Sequence, residues 1–117
     1  MLNREALEHA GIDVDEALER TMGNEALLER VLGMFLDDSH FDQLRQAIDA
    51  NDQEGAIAAV HSLKGTSGNL SMKPLFELAT KQLALLRGDS WDEAAALMPQ
   101  IETAYRAMIA AVEQRSL

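Results

Sequence analysis

The chain has no cysteine. That excludes a disulfide framework and thiolate chemistry. Proline occurs only twice and aromatic residues make up 4% of the sequence, which disfavours a loop-rich or β-rich fold. No apolar run approaches the ~18 residues of a membrane span. The opening MLNREALEHA carries two acids and no long apolar stretch, so it does not read as a secretory signal. A soluble cytoplasmic domain is expected, and 117 residues suit one domain covering residues 1–117 with a core that needs no staples. Met1 points to a free-standing protein over a module cut from a longer kinase.

Basic residues are also few: the net charge is −10, which argues against nucleic acid and against an anionic membrane as partners. The charge is unevenly spread. Residues 1–55 hold 4 arginines against 14 acids, whereas residues 56–88 hold Lys64, Lys73, Lys81 and Arg87 against Glu77 alone. All three lysines fall between positions 64 and 81, so this segment is the one suited to handling an anion.

What the chain does have is alanine, leucine, glutamate and six methionines, a composition that favours helices. Periodicity predicts a short helix over Asn3–Ala10, stopped by Gly11, and a second from Asp13 to about Met22. Asp13 and Glu16 have capping-box spacing there. After the Gly23-Asn24 turn, the stripe Leu27, Leu28, Val31, Met34, Phe35, Phe41, Leu44 and Ile48 predicts one helix to about Ala50. It would be roughly 40 Å long, bent near Asp38-Ser39. A fourth helix is predicted over about Gln53–Leu70 and a fifth after Ser71, its cap, with an inner stripe including Gln82. A last helix is expected over Trp91–Arg115. Long helices joined by short turns alternate in direction. The expected fold is therefore all-α: an antiparallel up-down four-helix bundle with one or two short N-terminal helices.

The segment HSLKGTSGNL, residues 61–70, puts Gly65 and Gly68 into the fourth helix, where each glycine costs roughly 1 kcal/mol against alanine. At about 100° per residue, Ile57, Lys64, Gly65 and Gly68 all fall within about 60° of His61. Ala56, Ala59, Leu63, Ser67 and Leu70 occupy the other side with Thr66. The predicted helix therefore runs through its glycines and turns them outward, leaving bare surface beside His61. An exposed neutral imidazole is a good nucleophile near neutral pH. Clearance is what an in-line attack on a bulky electrophile needs. Lys64 supplies a point charge for an arriving phosphoryl group, and Ile57 offers a partner an apolar grip. Lys73 and Lys81 are read as lying further off. His9 and His40 are read as silent, Asp37, Asp38 and His40 do not have the spacing of a metal site, and KGTSG does not follow a strand as a phosphate-cradling loop does. No metal is expected.

HSLKGTSGNL resembles the signature of histidine-containing phosphotransfer (HPt) domains, and GIDVDEALERTMGNEALLERVLGMFLDD is similar to the segment that precedes it in many members. The resemblance implies a four-helix bundle whose solvent-exposed histidine carries a phosphoryl group between receiver-domain aspartates in two-component phosphorelays. It makes His61 the phospho-acceptor, Lys64 the neighbour of the phosphate and Gly65 the source of clearance. The partners implied are receiver domains of response regulators, including receivers on hybrid histidine kinases. The domain itself would be a monomer, would need no cofactor, and would be a carrier and no enzyme, since nothing resembles an ATP site. Two positions depart from the pattern. Ser71 stands where many members have glycine, which should alter only the turn. Leu83 stands where many have a polar residue near the imidazole, with Gln82 one position earlier as the substitute.

Two other functions compete. One is a helical adaptor that binds a signalling partner without covalent transfer, which an acid-labile phosphate on His61 would exclude. The other is a hydrolase using His61 and an acid; no carboxylate shares the His61 face within a turn, and Glu54 is nearly two turns away.

Overall fold

Short polar side chains mark the helix starts. Asn3, Asp13, Asn24 and Asp52 accept the amides of Ala6, Glu16, Leu27 and Gly55, which have no partner inside their own helices. The computed structural model describes all residues from Met1 to Leu117. Its helices are α1 (Arg4–His9), α2 (Val14–Arg20), α3 (Glu25–Met34), α4 (His40–Asp49), α5 (Gln53–Asn69), α6 (Lys73–Arg87), α7 (Trp91–Ala96) and α8 (Met98–Glu113). A 3₁₀ turn, Phe35–Asp37, lies between α3 and α4. The expected all-α bundle is present. α5 packs between α4 and α6, α6 against α7 and α8, and α8 closes onto α3 and the 3₁₀ turn. Their apolar faces form one core, which includes Phe35, Phe41, Leu44, Leu63, Leu75 and Ile101.

Two expected helices are divided, each for a physical reason. The helix expected from Leu27 to Ala50 ends in the 3₁₀ turn, and Asp38 is extended at φ −74°, ψ 129°. Phe35 and Phe41 would lie about 120° apart on one straight helix, yet both are buried and both reach Tyr105 of α8. The ring centroids are 5.6 Å and 4.3 Å from that of Tyr105. The break rephases the stripe so that both rings face the core. It also corrects the stripe itself: Leu32 is buried, while Met34 is 65% exposed. The last helix divides at Leu97 because Pro99, in the first turn of α8, lacks an amide hydrogen and its ring clashes with a carbonyl one turn back.

A third correction concerns Ser71, expected to cap the fifth helix. The N-cap position of α6 is Met72, with no side-chain cap. Ser71 instead has φ +55°, the left-handed region that glycine adopts most easily. Its buried hydroxyl points to α2, accepting from Arg20 (2.6 Å) and donating to Glu16 (2.9 Å). Ser71 occupies a position suited to glycine and holds it through these two bonds.

The same turn anchors the N-terminal helices. The Asp13 amide donates to Ser71 O at 2.9 Å, the Lys73 amide to Gly11 O at 3.3 Å, and Ile12 pairs with Met72 in an isolated antiparallel bridge. Arg20 reaches Asn69 O at 3.0 Å. The capping box is half formed: Asp13 accepts the Glu16 amide, but the Glu16 carboxylate has turned to α6. Gly11 allows this close approach. Its φ is +99°, and a Cβ there would stand 2.7 Å from the Pro74 ring. Gly11→Ala is expected to cost about 1–3 kcal/mol, read as a lower urea midpoint with unchanged slope. A variant as stable as wild type would mean that this clamp is not close-packed.

Candidate functional site

α5 has two unlike sides. Ala56, Ala59, Val60, Leu63 and Ser67 are buried, and their small size lets α4 and α6 approach closely. The Ser67 hydroxyl is satisfied within the helix, donating to Leu63 O at 2.8 Å. The other side carries His61, which is exposed, and next to it Lys64 and Gly65. The His61 imidazole enters no side-chain hydrogen bond or ion pair, and neither does the Lys64 ammonium. A Cβ at Gly65 would have nothing within 4 Å, so the helical turn beyond His61 is bare.

His61 stands at the edge of an open cleft of about 410 Å³. α5 lines it with His61, Lys64, Gly65 and Gly68. The first turns of α6 supply Lys73 and Phe76, and α2 supplies Glu16 and Arg20. The lining outside α5 is therefore largely charged, and its α2 part is distant in sequence from His61.

Those charges are linked. Glu16 accepts from Lys73 Nζ at 2.7 Å, from Arg20 at 3.0 Å and from the Ser71 hydroxyl at 2.9 Å. The Lys73 bond first, then Ser71 and Arg20, hold its carboxyl at about 2, well below the usual carboxylate range. Such a carboxylate stays ionised and is a poor general base near neutral pH. An acid therefore does line the cleft with His61, and it is paired with two cations.

The structure brings together His61, Lys64, Gly65 and Gly68, but not for one purpose. Gly68 is half-buried, and a Cβ there would lie 3.0 Å from the Phe76 ring. Its bareness admits that ring, whereas Gly65 faces open space. Ile57 is half-buried against the core and does not line the cleft. Gln82 is not near the imidazole. It is fully buried, and its side-chain amide donates to Ala94 O of α7 at 3.0 Å. Its position on the inner stripe of α6 points it into the bundle, so it is no substitute for a polar neighbour of His61. Lys73, read from sequence as lying further off, lines the same cleft as His61; Lys81 does not. Glu16, Arg20 and Phe76 were not identified from sequence. No local signal marks them, because Glu16 meets Ser71 and Lys73 across 55 and 57 residues. His40 is paired with Asp38, Nδ1 to Oδ1 at 2.6 Å, next to the helix break. No group of three or more potential metal ligands occurs anywhere in the chain.

No helix is long and apolar enough to cross a membrane. Comparison with curated proteins and with solved structures gives no match. A family model described as Hpt domain matches residues 30–115, which takes in α4 to α8 and the whole His61 segment but leaves out α1 and α2. The match covers well over half of the chain, and the chain belongs to the Hpt domain family, the phosphotransfer modules of two-component signalling.

Proposed function

We propose that residues 1–117 act as one monomeric phosphoryl carrier, in which His61 takes a phosphoryl group from a receiver-domain aspartate and gives it to the aspartate of a second receiver. The observation that carries this reading is the exposed, unpartnered imidazole flanked by an unpaired lysine and by open space at Gly65. A lone pair on an imidazole nitrogen forms the N–P bond as the P–O bond to the donor carboxylate breaks, and the carboxylate leaves with the electron pair. The proton on the other ring nitrogen is kept or passed to water. In the second transfer an acceptor carboxylate forms the new O–P bond as the N–P bond breaks, and the ring, having kept its proton or taken one back from water, leaves as neutral imidazole. Lys64 lowers the cost of bringing phosphoryl charge to the helix. The receivers supply the metal ion and most of the catalytic groups, so this chain carries the group without being an enzyme.

His61→Gln is expected to accept no label from a phosphorylated receiver and to melt within about 0.5 kcal/mol of wild type, since the side chain is on the surface. Label on the wild type should be lost in acid and survive in base, as a phosphoramidate is. A labelled variant removes His61 from the role; a wild type that binds receivers but never takes label leaves an adaptor.

Gly65→Leu separates clearance from folding. Leucine gains up to about 1 kcal/mol of helix propensity and its Cβ enters open space, so the bundle should melt no lower. Transfer should be blocked, because the side chain fills the approach to His61. Transfer at the wild-type rate would show that no partner passes over this turn.

Lys64→Ala is expected to slow transfer ten- to a hundredfold, roughly 1.4–2.7 kcal/mol of barrier, at low and high salt alike. Lys81→Ala, on an exposed residue outside the cleft, should alter rates only at low salt. If the two variants share one salt-dependent defect, Lys64 has no place of its own beside the phosphate.

A further inference from the structure

We infer that Glu16 is a built-in counter-anion of the phosphoryl site: it holds Lys73, a second cation for the phosphoryl group on His61, and so lowers the share of phosphoryl that this chain keeps against its receivers. The inference rests on the phosphocarrier reading above and adds a specificity-determining pair to it. Glu16 belongs to α2, outside the residues 30–115 matched by the family model.

Lys64, Lys73 and Arg20 bring three positive charges and Glu16 one negative charge to the lining of the cleft. Arg20 is already spent on the Asn69 carbonyl, the Ser71 hydroxyl and Glu16. Lys64 has no partner. Lys73 is the remaining cation, and the only acceptor of its ammonium is Glu16 Oε2, at 2.7 Å. The side chains of Lys73 and Glu16 are 45% and 33% exposed. Lys73 is therefore free to turn on its flexible stem toward a new anion. A phosphoryl group on His61 brings about −1.5 to −2 charge into the same space. Lys73 then has two competing anions, and whatever Glu16 retains the phosphoryl group loses. Interactions between partly exposed charges change an equilibrium by a few-fold, up to about tenfold, and weaken with salt.

The atoms of Glu16 allow a clean test. Ser71 and Arg20 both bond to Oε1, and Lys73 to Oε2. Glu16→Gln keeps an acceptor oxygen for Ser71 and Arg20 and replaces the atom facing Lys73 with a donor. It therefore frees Lys73 without removing the anchor of α2. At equilibrium with a phosphorylated receiver, Glu16→Gln is expected to raise the ratio of phosphorylated to free chain about three- to tenfold at low salt, and less at high salt. Lys73→Ala should lower that ratio, and the double variant should behave like Lys73→Ala. Lys73→Ala alters a partly exposed side chain, so it still reports if Glu16→Gln folds poorly. A second readout needs no receiver: titration with inorganic phosphate, followed at the amides of Gly65 and Lys73, should give severalfold tighter binding for Glu16→Gln and weaker binding for Lys73→Ala. The inference is overturned if Glu16→Gln leaves the ratio unchanged or lowers it, or raises it equally when Lys73 is absent. Wild type that takes label while all variants partition alike overturns this inference and leaves the phosphocarrier reading standing. Wild type that takes no label from receivers, with the phosphate affinities ordered as stated, overturns the phosphocarrier reading and leaves the Glu16–Lys73 pair as the control of an anion site.

Discussion

Everything at this site depends on one helix being packed on one side and left bare on the other. α5 lies between α4 and α6, and its inward residues are small: Ala56, Ala59, Val60 and Ser67 are all buried. Small residues bring the neighbouring helices close and fix the rotation of α5 about its axis. That rotation puts His61 outward in the middle of a rigid element. A side chain on a packed helix is placed by its backbone without help from hydrogen bonds to its ring, and the His61 imidazole has none. The cost is local: Gly65 weakens the helix by roughly 1 kcal/mol relative to alanine, and burial of the opposite side offsets it.

The second constraint is the attachment of α1 and α2. Short N-terminal helices are marginal alone; the turn between α5 and α6 holds α2 and the α1–α2 link, while α1 also packs on α8 and pairs with the C-terminus at Leu2–Ser116. Backbone pairing at Ile12–Met72 and the Arg20–Ser71–Glu16 bonds join α2 to the cleft that His61 lines. One consequence is that Ser71, in a left-handed conformation, serves both the turn and the wall of the cleft. Another is that α2 lines the same cleft as His61, so this surface is built from two regions of the chain.

What the sequence made legible follows the range of the interaction that decides it. The helix of residues 53–69, its outward His61 and the bare Gly65 come from local periodicity, and the expectation agrees with the structure to within a residue. Asp13 as a cap is local and was legible too. Ser71 was misread because a serine before a helix looks like a cap, and its actual partners lie on α2. The break at Asp38–Ser39 was foreseen only as a bend, since its cause is the shared packing of Phe35 and Phe41 on Tyr105 of a distant helix. Gly68 and Gly65 have the same wheel position within about 60°, and only the placement of Phe76 separates their roles. Gln82 looked available near the site, but the fold turns it toward α7, where one of its polar atoms is bonded to Ala94. Glu16 and Lys73 could not be paired from sequence, because nothing local links residues 57 positions apart.

The central claim is that His61, and no other residue, carries the phosphoryl group. Its most direct test is nitrogen–phosphorus coupling in the wild-type chain with ¹⁵N-labelled histidine, recorded after mixing with a phosphorylated receiver. The chain has three histidines, so their ring resonances are separable. The account predicts that one ring nitrogen of His61 gains a coupling to phosphorus while His9 and His40 stay unchanged. Coupling at His9 or His40, or a receiver complex in which no histidine nitrogen couples to phosphorus, would contradict it.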